Sequence, residues 1–196
     1  MQLQHVPERG EVQLRMANTG AAAVLHVYDR YLLDAIPRRY TVDTGATLDG
    51  TWTTYDGSYD LWLLGPNGFH RHYRGDLSAP LLQAEIVQEP TDAQALCLVL
   101  RNPGTAPLSV SLEPAAYAQA QPRQRVTLAP GAEQRIRWNA KPSGGWYDLW
   151  LVQDNARQRL AGRVETGKPG ISDPAMGGAA RLYQESPPNY QGPGPV

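Results

Sequence analysis

Apolar and polar residues alternate in short runs along most of the chain, and the runs come in pairs. Val12-x-Leu14-x-Met16-x-Asn18-x-Gly20 is matched by Leu96-x-Leu98-x-Leu100-x-Asn102-x-Gly104, in each case an apolar strand face running into a turn. Gly57-Ser58-Tyr59-Asp60-Leu61-Trp62-Leu63 returns 88 residues later as Gly145-Trp146-Tyr147-Asp148-Leu149-Trp150-Leu151. Gly45 pairs with Gly131, Trp52 with Trp138 and Gly75 with Gly162, so the offset moves from 84 through 86 and 88 back to 87. Drift this small reflects changes of loop length between apolar runs, and the chain reads as one module written twice.

A period of two is what a strand with one buried face requires. In the first half it predicts strands at Leu25–Val27, Tyr40–Val42, Trp52–Tyr55, Tyr59–Leu64 and Phe69–Tyr73. The second half repeats them at Leu108–Leu112, Arg125–Leu128, Gln134–Trp138, Tyr147–Val152 and Arg157–Ala161. Turn-forming Asn, Asp, Gly and Pro separate the runs at the spacing of a sandwich, and no long amphipathic helix interrupts them. The expectation is an all-β protein of two tandem immunoglobulin-like β-sandwiches, 8–86 and 87–175. Gly- and Pro-rich residues 176–196 are expected to form a disordered tail with little to bury. Gly65-Pro66-Asn67-Gly68 predicts a tight hairpin, because Asn-Gly accepts positive φ. Its counterpart, Gln153-Asp154-Asn155-Ala156, lacks the glycine and is expected to be wider or less regular.

Composition narrows the partners. The 196 residues carry a net charge of −1, with 41% apolar and 19% charged positions, and lack the basic excess that a phosphate backbone demands. Nucleic acid is therefore not expected as a partner. No window reaches the ~20 apolar residues of a membrane-spanning helix, and Met1-Gln2-Leu3-Gln4-His5 has neither a basic segment nor an apolar signal core. An export signal, if there is one, is expected upstream of Met1. The single Cys97 lies in an alternating apolar run and reads as a small buried residue, so no internal disulfide is available.

Candidate chemistry is sparse. Histidines at 5, 26, 70 and 72 make no metal-binding motif, and there is no nucleophile elbow or phosphate loop, so neither a metal nor a cofactor is expected. His70 and His72 share one strand face, where the lack of a third ligand favours a solvated surface over a metal clasp. Asp60 and Asp148 hold equivalent places in the repeat, which suits bonding to a neighbouring turn or strand better than acid–base catalysis. Arg38-Arg39, Arg71, Arg74, Arg123, Arg125, Arg157, Arg159 and Arg163 lie near aromatic residues. That combination suits phosphate and cation–π contact, although exposed strand faces account for it more simply.

Several longer stretches carry a resemblance. Asn18-Thr19-Gly20, Ile36-Pro37-Arg38-Arg39-Tyr40-Thr41-Val42, Asp56-Gly57-Ser58-Tyr59-Asp60-Leu61 and Gly65-Pro66-Asn67-Gly68-Phe69-x-Arg71 resemble the C-terminal repeats of bacterial phosphocholine-preferring phospholipases C. Gly145-Trp146-Tyr147-Asp148-Leu149 and Ala161-Gly162-Arg163-Val164-Glu165-Thr166-Gly167-Lys168-Pro169 are similar to the closing part of the same enzymes. The likeness runs from about residue 8 to 175. Those enzymes carry a metal-dependent phosphatase-like catalytic domain upstream, and nothing in this sequence matches it.

The resemblance implies a non-catalytic accessory region of an enzyme that cleaves phosphatidylcholine or sphingomyelin. Its parent would be exported by a twin-arginine signal to the periplasm or beyond. The implied partners are the parent's catalytic domain and a phospholipid membrane surface. Arg38, Arg39, Phe69 and Arg71 are the candidate lipid or interdomain contacts, because an aromatic beside cations suits a lipid interface. Phe69, the single phenylalanine, serves equally well as a core residue. A freestanding lipid-, glycan- or protein-binding sandwich is the alternative, and a hydrolase in its own right is the weakest reading.

Overall fold

The computed structural model describes residues 1–89, 92–117, 122–164, 166 and 170–177. Seven strands come from the first half: β1 (Gln2–Val6), β2 (Glu11–Ala17), β3 (Ala23–Asp29), β4 (Arg38–Val42), β5 (Thr47–Thr53), β6 (Ser58–Leu64) and β7 (His70–Asp76). Seven more follow: β8 (Gln83–Glu89), β9 (Asp92–Arg101), β10 (Leu108–Pro114), β11 (Gln124–Leu128), β12 (Glu133–Asn139), β13 (Trp146–Val152) and β14 (Ala156–Arg163). The protein is all-β, as the alternation requires. β1 and β8 were not foreseen, because β1 buries only Leu3 and so shows almost no alternation.

Among the described residues three sheets form, in the orders β1-β2-β5, β11-β10-β13-β14-β7-β6-β3-β4 and β12-β9-β8. Each three-stranded sheet covers one half of the eight-stranded one, with inward residues from both sides closing the core. Val12, Leu14 and Trp52 meet Val27, Leu61, Leu63 and Tyr73 in the first half. Leu96, Leu98, Leu100 and Trp138 meet Leu112, Leu149, Leu151 and Leu160 in the second. Cys97 is buried on β9.

Paired positions do matching work. The Asn18 side chain donates to the carbonyls of Ala21 (2.8 Å) and Val42 (2.9 Å) and accepts from the Gly20 N–H (3.0 Å). Asn102 donates to Ala106 (2.8 Å) and Leu128 (3.1 Å) and accepts from Gly104 (2.9 Å). Each asparagine thus ties the strand before its turn to the edge strand of the facing sheet. The hairpin turns differ. Asn67 and Gly68 take φ of 55° and 70°, and three residues separate Gly65 from Phe69, whose backbone groups bond at 2.9 Å. The second turn is shorter rather than wider: the Gln153 N–H reaches the Ala156 carbonyl at 2.8 Å with only Asp154 and Asn155 between. Losing one residue removes the need for a positive-φ glycine and accounts for the offset falling from 88 to 87.

The halves join edge to edge. β14 pairs antiparallel with β7 from Ala156↔Gly75 to Ala161↔His70, which makes the eight-stranded sheet continuous. The connecting residues are held by the second half, whose Gln153 and Gln158 side chains donate to the carbonyls of Pro80 (2.8 Å) and Leu82 (2.7 Å). β8 ladders onto β9 from Gln83 onward, so the expected boundary at 86/87 falls inside a strand of the second half. Met176 and Gly177 end a short 3-10 helix, Pro174–Gly177; the rest of the expected tail, 178–196, lies outside the described residues.

Candidate functional site

Strand alternation that turns Tyr59, Leu61 and Leu63 inward must turn Asp60 and Trp62 to the outer face of the eight-stranded sheet. Asp60 is nonetheless fully buried there. A buried carboxylate requires partners, and three basic side chains supply them. Arg30 donates to Oδ2 at 3.1 Å, His72 Nε2 lies 2.6 Å from Oδ1, and Arg74 Nε stands 3.8 Å away. The Arg30 guanidinium also covers the Trp62 ring at 4.5 Å, shielding the carboxylate from water. In the second half the Asp148 carboxylate takes a two-pronged contact from Arg159, at 2.7 and 2.6 Å. Arg159 is the counterpart of His72. Both aspartates therefore bond to neighbouring strands, and the same structural job is done by a histidine in one half and an arginine in the other.

His70 and His72 correct the expectation of a solvated face. His72 is 1% exposed and stands edge-on to the rings of Trp62 and Trp150, 5.9 and 5.2 Å away between centroids. His70 stacks on His72 at 6.4 Å, and its Nε2 is buried without a hydrogen-bond partner. Burial first, then the positive charges of Arg159, His72 and Arg71, push the His70 pKa down to about 3. Period-two alternation identified the shared face, but Trp62 from the adjacent β6 and Trp150 from β13, two strands away, cover it. Among the described residues, no three His, Cys, Asp or Glu side chains converge as metal ligands. The Asp60–His72 pair has the chemistry of an acid–base dyad, but its burial beneath Arg30 and the tryptophans leaves a substrate no approach. What this cluster does is lock strands together.

The four candidate contact residues are not gathered in one patch. Arg38, exposed on β4, lies over the Trp52 ring at 3.9 Å and donates to the Thr51 carbonyl at 2.6 Å. Arg39, also exposed, points to the opposite face, opposite His26 in the ladder. Phe69 is half-buried at the hairpin exit, with the Arg71 guanidinium 4.2 Å from its ring centre. Arg71 is buried between the halves: it donates to the Ala161 carbonyl at 2.8 Å and to the Tyr147 hydroxyl at 3.3 Å. Stacking on aromatic rings recurs in Arg157 over Trp150 (4.9 Å), so these arginines do more than solvate strand faces.

One exposed feature was missed. The β3–β4 connection, Tyr31-Leu32-Leu33-Asp34-Ala35-Ile36-Pro37, presents Leu32 (48% exposed), Leu33 (49%) and Ile36 (87%) to solvent. Its signal was present in the sequence as three large aliphatics in a segment with no period of two, between two strands and ending in proline.

The architecture is that of an all-β sandwich protein whose halves share one sheet. The chain belongs to the family described as bacterial phospholipase C, C-terminal domain, whose model matches residues 1–76 and 82–163. It is 36% identical over 178 residues to a non-hemolytic phospholipase C of Pseudomonas aeruginosa and, at the same identity and length, to one of Burkholderia pseudomallei. It is 32% identical over 201 residues to a hemolytic phospholipase C of Pseudomonas aeruginosa. These alignments cover 85%, 85% and 87% of this chain but only 25%, 25% and 27% of the relatives, so the chain spans about a quarter of their length. Red sea bream transglutaminase overlaps with a TM-score of 0.29 at 15% identity, over 79% of this chain and 29% of that one, too weak a likeness to bear on the fold.

Proposed function

We propose that this chain is the non-catalytic C-terminal accessory region of an exported bacterial phospholipase C that acts on phosphatidylcholine or sphingomyelin. The observation that carries the reading is the alignment itself, which spans nearly all of this chain and only a quarter of each phospholipase. Hydrolysis belongs to the remaining three-quarters, with this region packing on the catalytic domain and assisting its engagement with lipid. The site geometry supports the assignment, because the acid–base pair described above, Asp60 and His72, is buried. Its structural units are the two halves, divided within residues 77–82.

Supplying this chain in trans to a phospholipase C relative truncated of its own C-terminal region tests the proposal. The chain should co-purify with the truncated enzyme and raise its hydrolysis of phosphatidylcholine vesicles, while releasing no phosphocholine alone. Phosphocholine release by the chain alone, or failure to associate with or stimulate the truncated enzyme, would overturn it.

A further inference from the structure

We propose that the β3–β4 loop is a membrane-inserting tip that seats this region on a phospholipid bilayer through Leu32, Leu33 and Ile36. The inference deepens the reading above by assigning lipid engagement to one loop.

Three large aliphatic side chains on one short connection leave about half or more of their surface in water. The base that presents them is rigid. The Arg30 N–H bonds to the Asp60 carbonyl at 2.9 Å, and its guanidinium is buried against the Asp60 carboxylate. Asp29 accepts from the Tyr31 N–H at 3.0 Å and from the Tyr55 hydroxyl at 3.1 Å, and the Tyr31 and Tyr55 rings pack 4.7 Å apart. Within the tip, the Leu32 N–H reaches the Asp29 carbonyl and the Ala35 N–H the Leu32 carbonyl, both at 3.0 Å. A tip already ordered loses little conformational freedom on insertion. Between the tip and the sandwich lies a hollow of about 270 Å³, lined by Leu32 and Ile36 on the loop side, by Val27 and Trp52 on the sandwich side, and by the polar Asp29 and Arg38.

Size and charge select the occupant. Three side chains fall far short of the ~800 Å² that each partner contributes to a stable protein interface. They do suit shallow insertion among acyl chains, with exposed Arg38 and Arg39 following directly at headgroup level against the single loop acid, Asp34. The repeat adds an independent argument. The corresponding connection of the second half reads Ala115-Ala116-Tyr117-Ala118-Gln119-Ala120-Gln121-Pro122, without a large aliphatic residue. The sandwich framework therefore does not require leucine and isoleucine at this place; they belong to one half alone.

The test uses this chain with phosphatidylcholine vesicles. An environment-sensitive dye on Ile36→Cys should shift to the blue on adding vesicles, whereas the same dye on Leu48→Cys, on the far sheet, should not; native Cys97 is buried. The triple variant Leu32→Ser, Leu33→Ser, Ile36→Ser should lose at least tenfold in vesicle partitioning with an unchanged circular dichroism spectrum. Val24→Ser with Leu48→Ser, which removes two exposed aliphatics elsewhere, should stay within twofold of the parent. Absence of partitioning by the parent chain, or equal partitioning by the triple variant, overturns the proposal. So does a triple variant that binds vesicles normally but no longer associates in trans with the truncated phospholipase, which would make the loop a protein contact. The in-trans assay stands apart from vesicle binding, so the accessory reading survives if the loop assignment fails.

Discussion

His72 stands directly opposite Arg159 in the β7–β14 ladder, and the two are the same position of the repeat, 87 residues apart. The approximate two-fold axis relating the halves therefore passes between them, and each half offers the other the same strand edge. This is the geometry of a symmetric dimer contact built into one chain. It hides two edges that would otherwise invite uncontrolled strand pairing. Arg71 bridges to Ala161 and Tyr147 across the join, while its counterpart Gln158 holds the connecting residue Leu82. The two equivalent positions divide between them the fastening of the halves and of their linker.

A join of this kind should make the halves unfold together. Calorimetry is expected to show one transition with matching calorimetric and van't Hoff enthalpies. Two resolved transitions would mean that the β7–β14 ladder contributes little coupling.

The two aspartates should differ in what their removal costs. Asp60→Ala takes from Arg30 and His72, both buried, the carboxylate they share, and should destabilise by about 3–5 kcal/mol in urea unfolding. Asp148→Ala releases Arg159, whose side chain is 32% exposed and can turn to water, so a loss of about 1–2 kcal/mol is expected. Equal losses would contradict the account of burial given for Asp60.

These residues mark where the sequence stops being legible. Alternation placed twelve of the fourteen strands and paired the halves, because burial of one sheet face leaves a period-two imprint. It placed His70 and His72 on one face but could not reveal their cover, since Trp62 and Trp150 come from other strands and their alignment depends on register. The β7–β14 join left no signal either: an edge that pairs across the halves carries the same residues as one that faces water. Arg38, Arg39, Phe69 and Arg71 looked like one patch from proximity in sequence, but β4 and β7 turn them in different directions.

Gly75 and Gly162 are required by the tyrosines that lie across them. A Cβ on Gly162 would stand 2.7 Å from the Tyr147 hydroxyl oxygen and 3.0 Å from Cζ. One on Gly75 would meet the Tyr59 hydroxyl at 2.8 Å, the Ala156 Cβ at 2.9 Å and the Asn155 carbonyl at 3.2 Å. Both alanine variants should lose about 1–3 kcal/mol. Tyr147→Phe should relieve part of the Gly162→Ala cost in a double-mutant cycle, whereas Tyr59→Phe should leave the Gly75→Ala cost nearly unchanged, because backbone and Ala156 still obstruct it. Rescue at both sites would show that only the hydroxyls matter.

His70 should make the fold sensitive to acid. Its pKa is pushed down to about 3 in the folded chain, against 6.5 when unfolded, because burial and the charges of Arg159, His72 and Arg71 oppose protonation. Between those values the unfolded chain holds a proton that the folded chain lacks. Stability must therefore fall as pH drops below about 6.5, levelling off near 3. At pH 4.5 the loss attributable to His70 should be about 1–3 kcal/mol, allowing for its partial contact with solvent. His70→Gln keeps a polar side chain without the titration, so the gap between parent and variant in urea unfolding should shift by that amount between pH 7 and pH 4.5, in favour of the variant. The carboxylates titrate in both proteins and cancel from the comparison. A gap that stays constant with pH would mean that the imidazole reaches water when protonated, and that Trp62 and His72 cover it less tightly than the ring geometry requires.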